Sequence, residues 1–175
     1  IIRDQIFKEI INILKKNYDN NFFINYGTLL GLIRNSDFID WDDNIDLAFY
    51  LNSNSLTKLE NLQKILIDAN YVARIKSKKE EYLKLSIFKY GYKLDFCSLK
   101  KLKKFYYSND TKIPTEYCDN LKSIKFKGVS VFIPLEYEKY LSYLYGDWKT
   151  PRKEHEYQSL KSMDLNLYSF FILSI

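Results

Sequence analysis

Apolar residues recur at helical spacing between Ile2 and Tyr18, where Ile6, Phe7, Ile10, Ile13 and Leu14 share one side, so the stretch predicts an amphipathic helix. Asp19-Asn20-Asn21 breaks it, and the apolar run from Phe22 to Tyr26 predicts a strand. Gly27 then allows a sharp turn into a helix-like segment, Thr28 to Arg34, and the alternation from Asn44 to Leu51 predicts the next strand. A polar loop, Asn52-Ser53-Asn54-Ser55, follows. Ser55 is placed to cap a helix whose Leu56, Leu59, Leu62, Ile65 and Leu66 fall on one face. From Tyr71 the period changes to that of strands: Tyr71 to Ile75, Tyr82 to Tyr90 and Tyr92 to Leu99, with Lys76 to Glu81 a charged loop and Gly91 at a tight turn. Lys100 to Lys104 reads as a solvated basic loop. Ile124 to Phe126 and Val129 to Ile133 flank Lys127-Gly128 as a hairpin, and Pro134 is expected to open a helix carrying Tyr137, Tyr140, Leu141 and Leu144 that stops at Gly146. The apolar tail from Leu165 to Ile175 reads as a cover for the core or part of an interface.

No Pro/Gly/Ser-rich linker divides the 175 residues, which suffice for one compact domain with a sizeable core. Residues 1–20 form its N-terminal helical arm and 152–175 its tail. The chain starts at Ile1 rather than Met, as expected of a piece of a longer protein. A formal charge of +5 and a pI near 8.9 favour a polyphosphate or anionic glycan partner, but no basic stripe with interleaved aromatics points to nucleic acid. Cys97 and Cys118 lack zinc spacing and make no disulfide framework, so a reducing, cytoplasmic setting is the simpler reading. No apolar run is long enough for a transmembrane helix. Attachment to a membrane surface through Lys8, Lys15 and Lys16 is the lesser alternative for the first helix, because Asp4 and Glu9 dilute its charge. The single histidine, His155, has nothing beside it in sequence to orient it for catalysis.

The chemistry concentrates between Gly27 and Leu51. A helix start after Gly27 and Thr28 leaves unpartnered N–H groups that attract anions. Next come Asp40, Asp42, Asp43 and Asp46. If the strand alternates, Asp42, Asn44 and Asp46 share a face, and such crowding of oxygens calls for a hard divalent cation. An EF-hand is excluded by Leu47 where its glycine is needed and Ser53 where its glutamate is needed. A Walker-type phosphate loop fails because no Lys follows the glycines. A solvated turn would explain the aspartates but not the Gly-Thr pair upstream. Further along, Asp95 is an isolated acid between Leu94 and Phe96. In a half-buried strand it needs a cation or a donor, either at the site or from an outward pairing with Lys84 or Lys93.

Tyr26-Gly27-Thr28-Leu29-Leu30-Gly31, Arg34, Phe38-Ile39 and Trp41-Asp42-Asp43-Asn44-Ile45-Asp46 together resemble the LicD/fukutin group of phosphotransferases. The order of hairpin, Pro134, helix and Tyr-Gly-Asp-Trp resembles that group's distal part less specifically, so the resemblance spans about Gly27 to Pro151. It implies an α+β domain with a mixed β-sheet of nucleotidyltransferase type and flanking helices. It also implies Mg2+-dependent (or Mn2+-dependent) transfer of a phospho-alcohol, such as phosphocholine or ribitol phosphate, from a cytidine-diphosphate-activated donor to a glycan hydroxyl. Carried onto this sequence, the metal residues are Asp46, Asp95 and Asp42 or Asn44, the last standing where the group usually has Asp. Asp42, Asp46 and Asp95 are the catalytic set, with Asp42 or Asp95 taking the acceptor's proton. Gly27, Thr28, Gly31, Arg34, Trp41 and Asp43 are the substrate-binding set, Arg34 contacting either phosphate or an aspartate of the cluster. The alternatives are a catalytically weakened domain that binds a nucleotide or glycan for a partner enzyme, and a true nucleotidyltransferase.

Overall fold

A computed structural model describes residues 2–18, 21–78, 81–109 and 111–151. The expectations for His155 and the apolar tail lie outside the described residues. The elements run α1 (Ile2–Asn17), β1 (Phe22–Ile24), α2 (Tyr26–Asn35), β2 (Asn44–Tyr50), α3 (Ser55–Asp68), β3 (Val72–Lys78), β4 (Tyr82–Lys89) and β5 (Tyr92–Leu102). They continue with β6 (Phe105–Ser108), β7 (Thr111–Pro114), a 3-10 turn at Thr115–Tyr117, β8 (Leu121–Phe126), β9 (Val129–Pro134) and α4 (Tyr137–Tyr145). A seven-stranded mixed sheet has the order β1-β2-β5-β4-β3, with β6 and β7 extending from β5, while β8 and β9 form a separate hairpin.

Among the described residues only β2 and β5 pair in parallel, because α3, β3 and β4 intervene as the crossover between them. Their register sets Asp46 directly beside Asp95. Strand alternation then divides the two faces. Ile45, Leu47 and Phe49 of β2 lie level with Leu94, Phe96 and Ser98 of β5, and all six are buried. Tyr18, just past α1, packs edge-on against Phe49 and Phe96 and receives the Lys58 ammonium of α3 over its ring. The opposite face carries Asn44 and Asp46 of β2, Lys93 and Asp95 of β5, and Lys84 and Ser86 of β4.

Several boundaries differ from the sequence expectation. Lys100 and Lys101 are not in a loop: β5 runs on to Leu102 and pairs with β6, since alternating Phe105, Tyr106 and Tyr107 supply a partner strand. The charged loop at Lys76 is likewise strand as far as Lys78, on the exposed edge where charge blocks further pairing. Pro134 closes β9 instead of opening α4, a position that needs no N–H from it. Ser55 does not cap α3 through its side chain but bonds back to Asn52. Both cysteines are buried and free. No helix among the described residues is long and apolar enough to cross a membrane.

Candidate active site

The chain leaves the sheet at Asn25, and that departure builds the site. β1 pairs with residues 47 to 49 of β2 and then stops, which would leave the N–H of Asp46 without a ladder partner. Thr28 supplies one: its hydroxyl oxygen accepts the Asp46 N–H at 2.8 Å, while the Asn25 N–H donates to the Asp46 carbonyl at 3.0 Å. Thr28 is 2% exposed, so its observed work is to fasten the first turn of α2 to the acidic strand. The turn itself is made by Tyr26 at φ 43°, not by Gly27 as the sequence suggested. Gly27 is needed for a different reason, because a Cβ there would stand 2.4 Å from Asp42 Oδ2. Asn25, fully buried, is held by the Tyr140 hydroxyl of α4.

Asp42 lies in the turn before β2 and not on the strand face expected for it. It reaches the same place through hydrogen bonds: Asp42 Oδ1 accepts the Asn44 N–H at 3.0 Å, and Asn44 Nδ2 donates to Asp46 Oδ1 at 2.9 Å. Asn44 Oδ1 is buried with no hydrogen-bond partner, an orphan acceptor beside two carboxylates. Burial, together with the charges of Asp42 and Asp95, pushes the Asp46 carboxyl up to about 7. Asp95 differs although it is only 4% exposed. Burial pushes it up, but hydrogen bonds from Lys84, Lys93 and Ser86 outweigh that and hold it below the usual carboxylate range. Both ammoniums meet Oδ2 at 2.7 Å, and the Ser86 hydroxyl donates to Oδ1 at 2.6 Å. The sequence offers Lys84 and Lys93 only as outward partners of Asp95, and Ser86 is a partner that the structure adds. The available signal was that all three alternate onto the same face as the acid.

The other expected substrate residues separate from this face. Trp41 is 59% exposed and Asp43 is exposed. With Asp42, they line an adjoining polar hollow of about 330 Å3, together with Arg3 and Asp4 of α1, Tyr92 and Lys127. Gly31 lets the loop at Asp37–Ile39 lie against α2, since a Cβ there would be 2.6 Å from the Asp37 carbonyl oxygen. Arg34 is in the last turn of α2, about 10 Å along the helix from Gly27, and bonds the Asn35 side chain. Arg3 fastens the acidic loop from outside by donating to the carbonyls of Asp42 at 2.8 Å and Ile39 at 3.3 Å, and its guanidinium rests on Phe38. Arg3→Ala should cost about 1.5–3 kcal/mol, because two carbonyls lose a charged donor. A lowered melting temperature with faster amide exchange at residues 39–43 would show it, and unchanged exchange there would refute the clamp.

A hard divalent cation such as Mg2+ or Mn2+ requires oxygen donors. Asp42, Asp46 and the orphan Asn44 Oδ1 offer them from one turn and strand, and that set fits such an ion. The oxygens of Asp95 are already engaged by two lysines and a serine, so Asp95 does not join that set as it stands. Among the described residues, no three His, Cys, Asp or Glu side chains form a ready cation cage.

Residues 19–136 match the profile of the LicD/FKTN/FKRP nucleotidyltransferase domain. The chain belongs to this family. LicD-family membership agrees with the Gly-Thr turn and the acidic strand around which the site is built, and α1 with its Arg3 clamp precedes the matched region. Among curated proteins none matches at a significant level. Two solved structures of the antibiotic-resistance factor ANT(2'')-Ia resemble the fold. A crystal structure with adenylyl-2''-tobramycin has TM-score 0.51 and 16% identity, covering 99% of this chain and 95% of that one. A solution structure has TM-score 0.54 and 16% identity, covering 98% and 89%. At that identity the likeness establishes the nucleotidyltransferase-type fold alone.

Proposed function

We propose that this LicD-family transferase moves a phospho-alcohol, of the phosphocholine or ribitol-phosphate kind, from a cytidine-diphosphate-activated donor to a hydroxyl of a glycan. The observation that carries the reading is the parallel register that sets Asp46 beside Asp95 at the start of α2, with Asp42 brought in by the preceding turn. Asp46, Asp42 and Asn44 would hold Mg2+, which when bound neutralises charge on the phosphoryl oxygens and the departing nucleotide. The acceptor oxygen forms a bond to the β-phosphorus, the bridge to the α-phosphate breaks, and cytidine monophosphate leaves. The hydroxyl proton passes to a carboxylate, for which Asp42 suits better than Asp95, since Lys84, Lys93 and Ser86 already occupy the Asp95 oxygens. Tyr26 and Thr28, locked by the sheet edge, orient the first turn of α2 toward donor phosphate.

A weakened, binding-only domain is the second reading, favoured by Asn44 and by the lysines already paired with Asp95. Incubation with cytidine-diphosphate-choline and other nucleotide donors, with and without Mg2+, followed by mass analysis of the acceptor, separates the possibilities. Addition of a phospho-alcohol with release of cytidine monophosphate supports the proposal. Addition of a nucleotide monophosphate makes the chain a nucleotidyltransferase. Donor binding without turnover makes it a binding module.

Asn44→Asp tests the cation face directly. The new carboxylate would oppose Asp46 where an amide now donates to it, so the variant should melt lower than wild type in chelator. It should also gain more from added Mg2+, because an extra charge meets the cation at short range. Melting curves that do not change in either condition would remove Asn44 from any metal face.

A further inference from the structure

We propose that the open face of β3, at Arg74 and Lys76 with Lys78 at its end, is the docking track for the acceptor, and that the acceptor is an anionic glycan carrying phosphate or carboxylate groups. The inference rests on the transferase reading and names the acceptor class for it. The β3–β4 and β4–β5 registers put these three side chains on the face that holds Lys84 and Asp95. All three residues are exposed, and that face of β3 and β4 bears no carboxylate. The acids of the neighbouring strands have nearer partners, since Lys84 and Lys93 bind Asp95 and also act on Asp46. β3 lies two strand spacings from β5, about 10 Å, a separation at which salt screens exposed charges from one another. Its cations are therefore not the counter-charges of the reacting centre. Nor does α3 supply them with partners, because its own Lys58 and Lys64 balance Glu60 and Asp68. Lys76 stands directly opposite Lys84, where like charges cost stability. Charge that served only to block edge pairing would need neither this repulsion nor three cations on one face. Alternate residues of a strand are about 6.6 Å apart, so a chain with recurrent anionic groups lying along β3 meets them in turn. Lys78 donates to Asn109 and is followed in the turn by Glu81, which leaves Arg74 and Lys76 to carry the attraction. Nucleic acid fits this stretch less well, because the Arg74 guanidinium stands over the Phe88 ring beside it and leaves no bare platform for a base.

Fluorescence anisotropy of the full chain with labelled dextran phosphate and labelled neutral dextran tests the track. The wild type should bind dextran phosphate, with an affinity that falls as salt rises, and should not bind neutral dextran. The double variant Arg74→Gln with Lys76→Gln should bind dextran phosphate at least tenfold more weakly and with a shallower salt dependence. It should melt close to wild type, because both side chains are exposed and Lys76→Gln relieves the repulsion with Lys84. Lys16→Gln with Lys64→Gln removes the same charge from α1 and α3, on the other side of the sheet, and should leave binding unchanged. Equal losses in the two double variants would mark a response to net charge alone and overturn the track. If the β3 cations only guard the sheet edge, their double variant self-associates yet keeps its binding, which also overturns it. Tighter binding of oligouridylate, or of phosphatidylglycerol vesicles, through Arg74 and Lys76 rejects the glycan and makes the surface one for nucleic acid or for a membrane. Turnover of a nucleotide donor by a wild type that does not bind dextran phosphate overturns the inference alone and leaves the transferase reading intact. Binding that depends on Arg74 and Lys76, with no donor turned over, upholds the anionic-glycan surface and rejects the transferase.

Discussion

Asp46→Asn is expected to reduce transfer by at least about a hundredfold while keeping the fold, because it removes a charge from the proposed reacting centre. The amide oxygen can still accept from Asn44 Nδ2, so the local hydrogen bond survives. The same substitution should change the pH dependence of stability in metal-free protein. The folded state raises the Asp46 carboxyl from 3.8 to about 7, so between those values it binds more protons than the unfolded chain. Stability from this group is therefore present at low pH and lost as pH rises toward 7. Thermal melts across that window should show the loss in wild type and its removal in Asp46→Asn. Asp95→Asn should show the opposite linkage. Lys84, Lys93 and Ser86 keep Asp95 ionised, so its contribution is present at neutral pH and lost as pH falls below the ordinary carboxylate range. Removing it should lower stability at pH 7. Near-normal turnover in Asp46→Asn would sink the site.

Gly31→Ala should be the most destabilising of the small substitutions. The added methyl would lie 2.6 Å from the Asp37 carbonyl oxygen and 2.9 Å from the Ile39 nitrogen, both backbone atoms that cannot swing aside. Overpacking of this kind costs about 1–3 kcal/mol or more. Gly27→Ala makes a closer approach, 2.4 Å, but to a carboxylate oxygen at the end of a side chain. Asp42 can rotate away, so this variant should lose transfer with less loss of stability. Denaturant melts and turnover of the two variants should therefore rank in opposite order. If Gly31→Ala melts like wild type, the acidic loop is not seated on α2 as described.

Local chemistry made much of this protein readable without coordinates. The 3.6-residue period of Ile6, Ile10 and Leu14 and the alternation of β2, β4 and β5 are set by side-chain direction, which depends only on neighbouring residues. The Gly-Thr turn and the aspartates were legible as a motif for the same reason, since their spacing is short. Whether Asp95 reaches Asp46 was not, because 49 residues separate them and only the parallel β2–β5 register joins them. That Tyr26 turns the chain, and that Gly27 and Gly31 instead admit close neighbours, was likewise decided by tertiary approach, Asp42 onto Gly27 and the Asp37–Ile39 backbone onto Gly31. Arg3 on Asp42 belongs to the same class, whereas the pairing of Asp95 with Lys84 or Lys93 was among the alternatives the sequence offered, Lys93 standing two residues away on the same strand. A charge far away in sequence gains its partner only when the sheet and helices bring it within a few ångströms, and no local pattern encodes that distance.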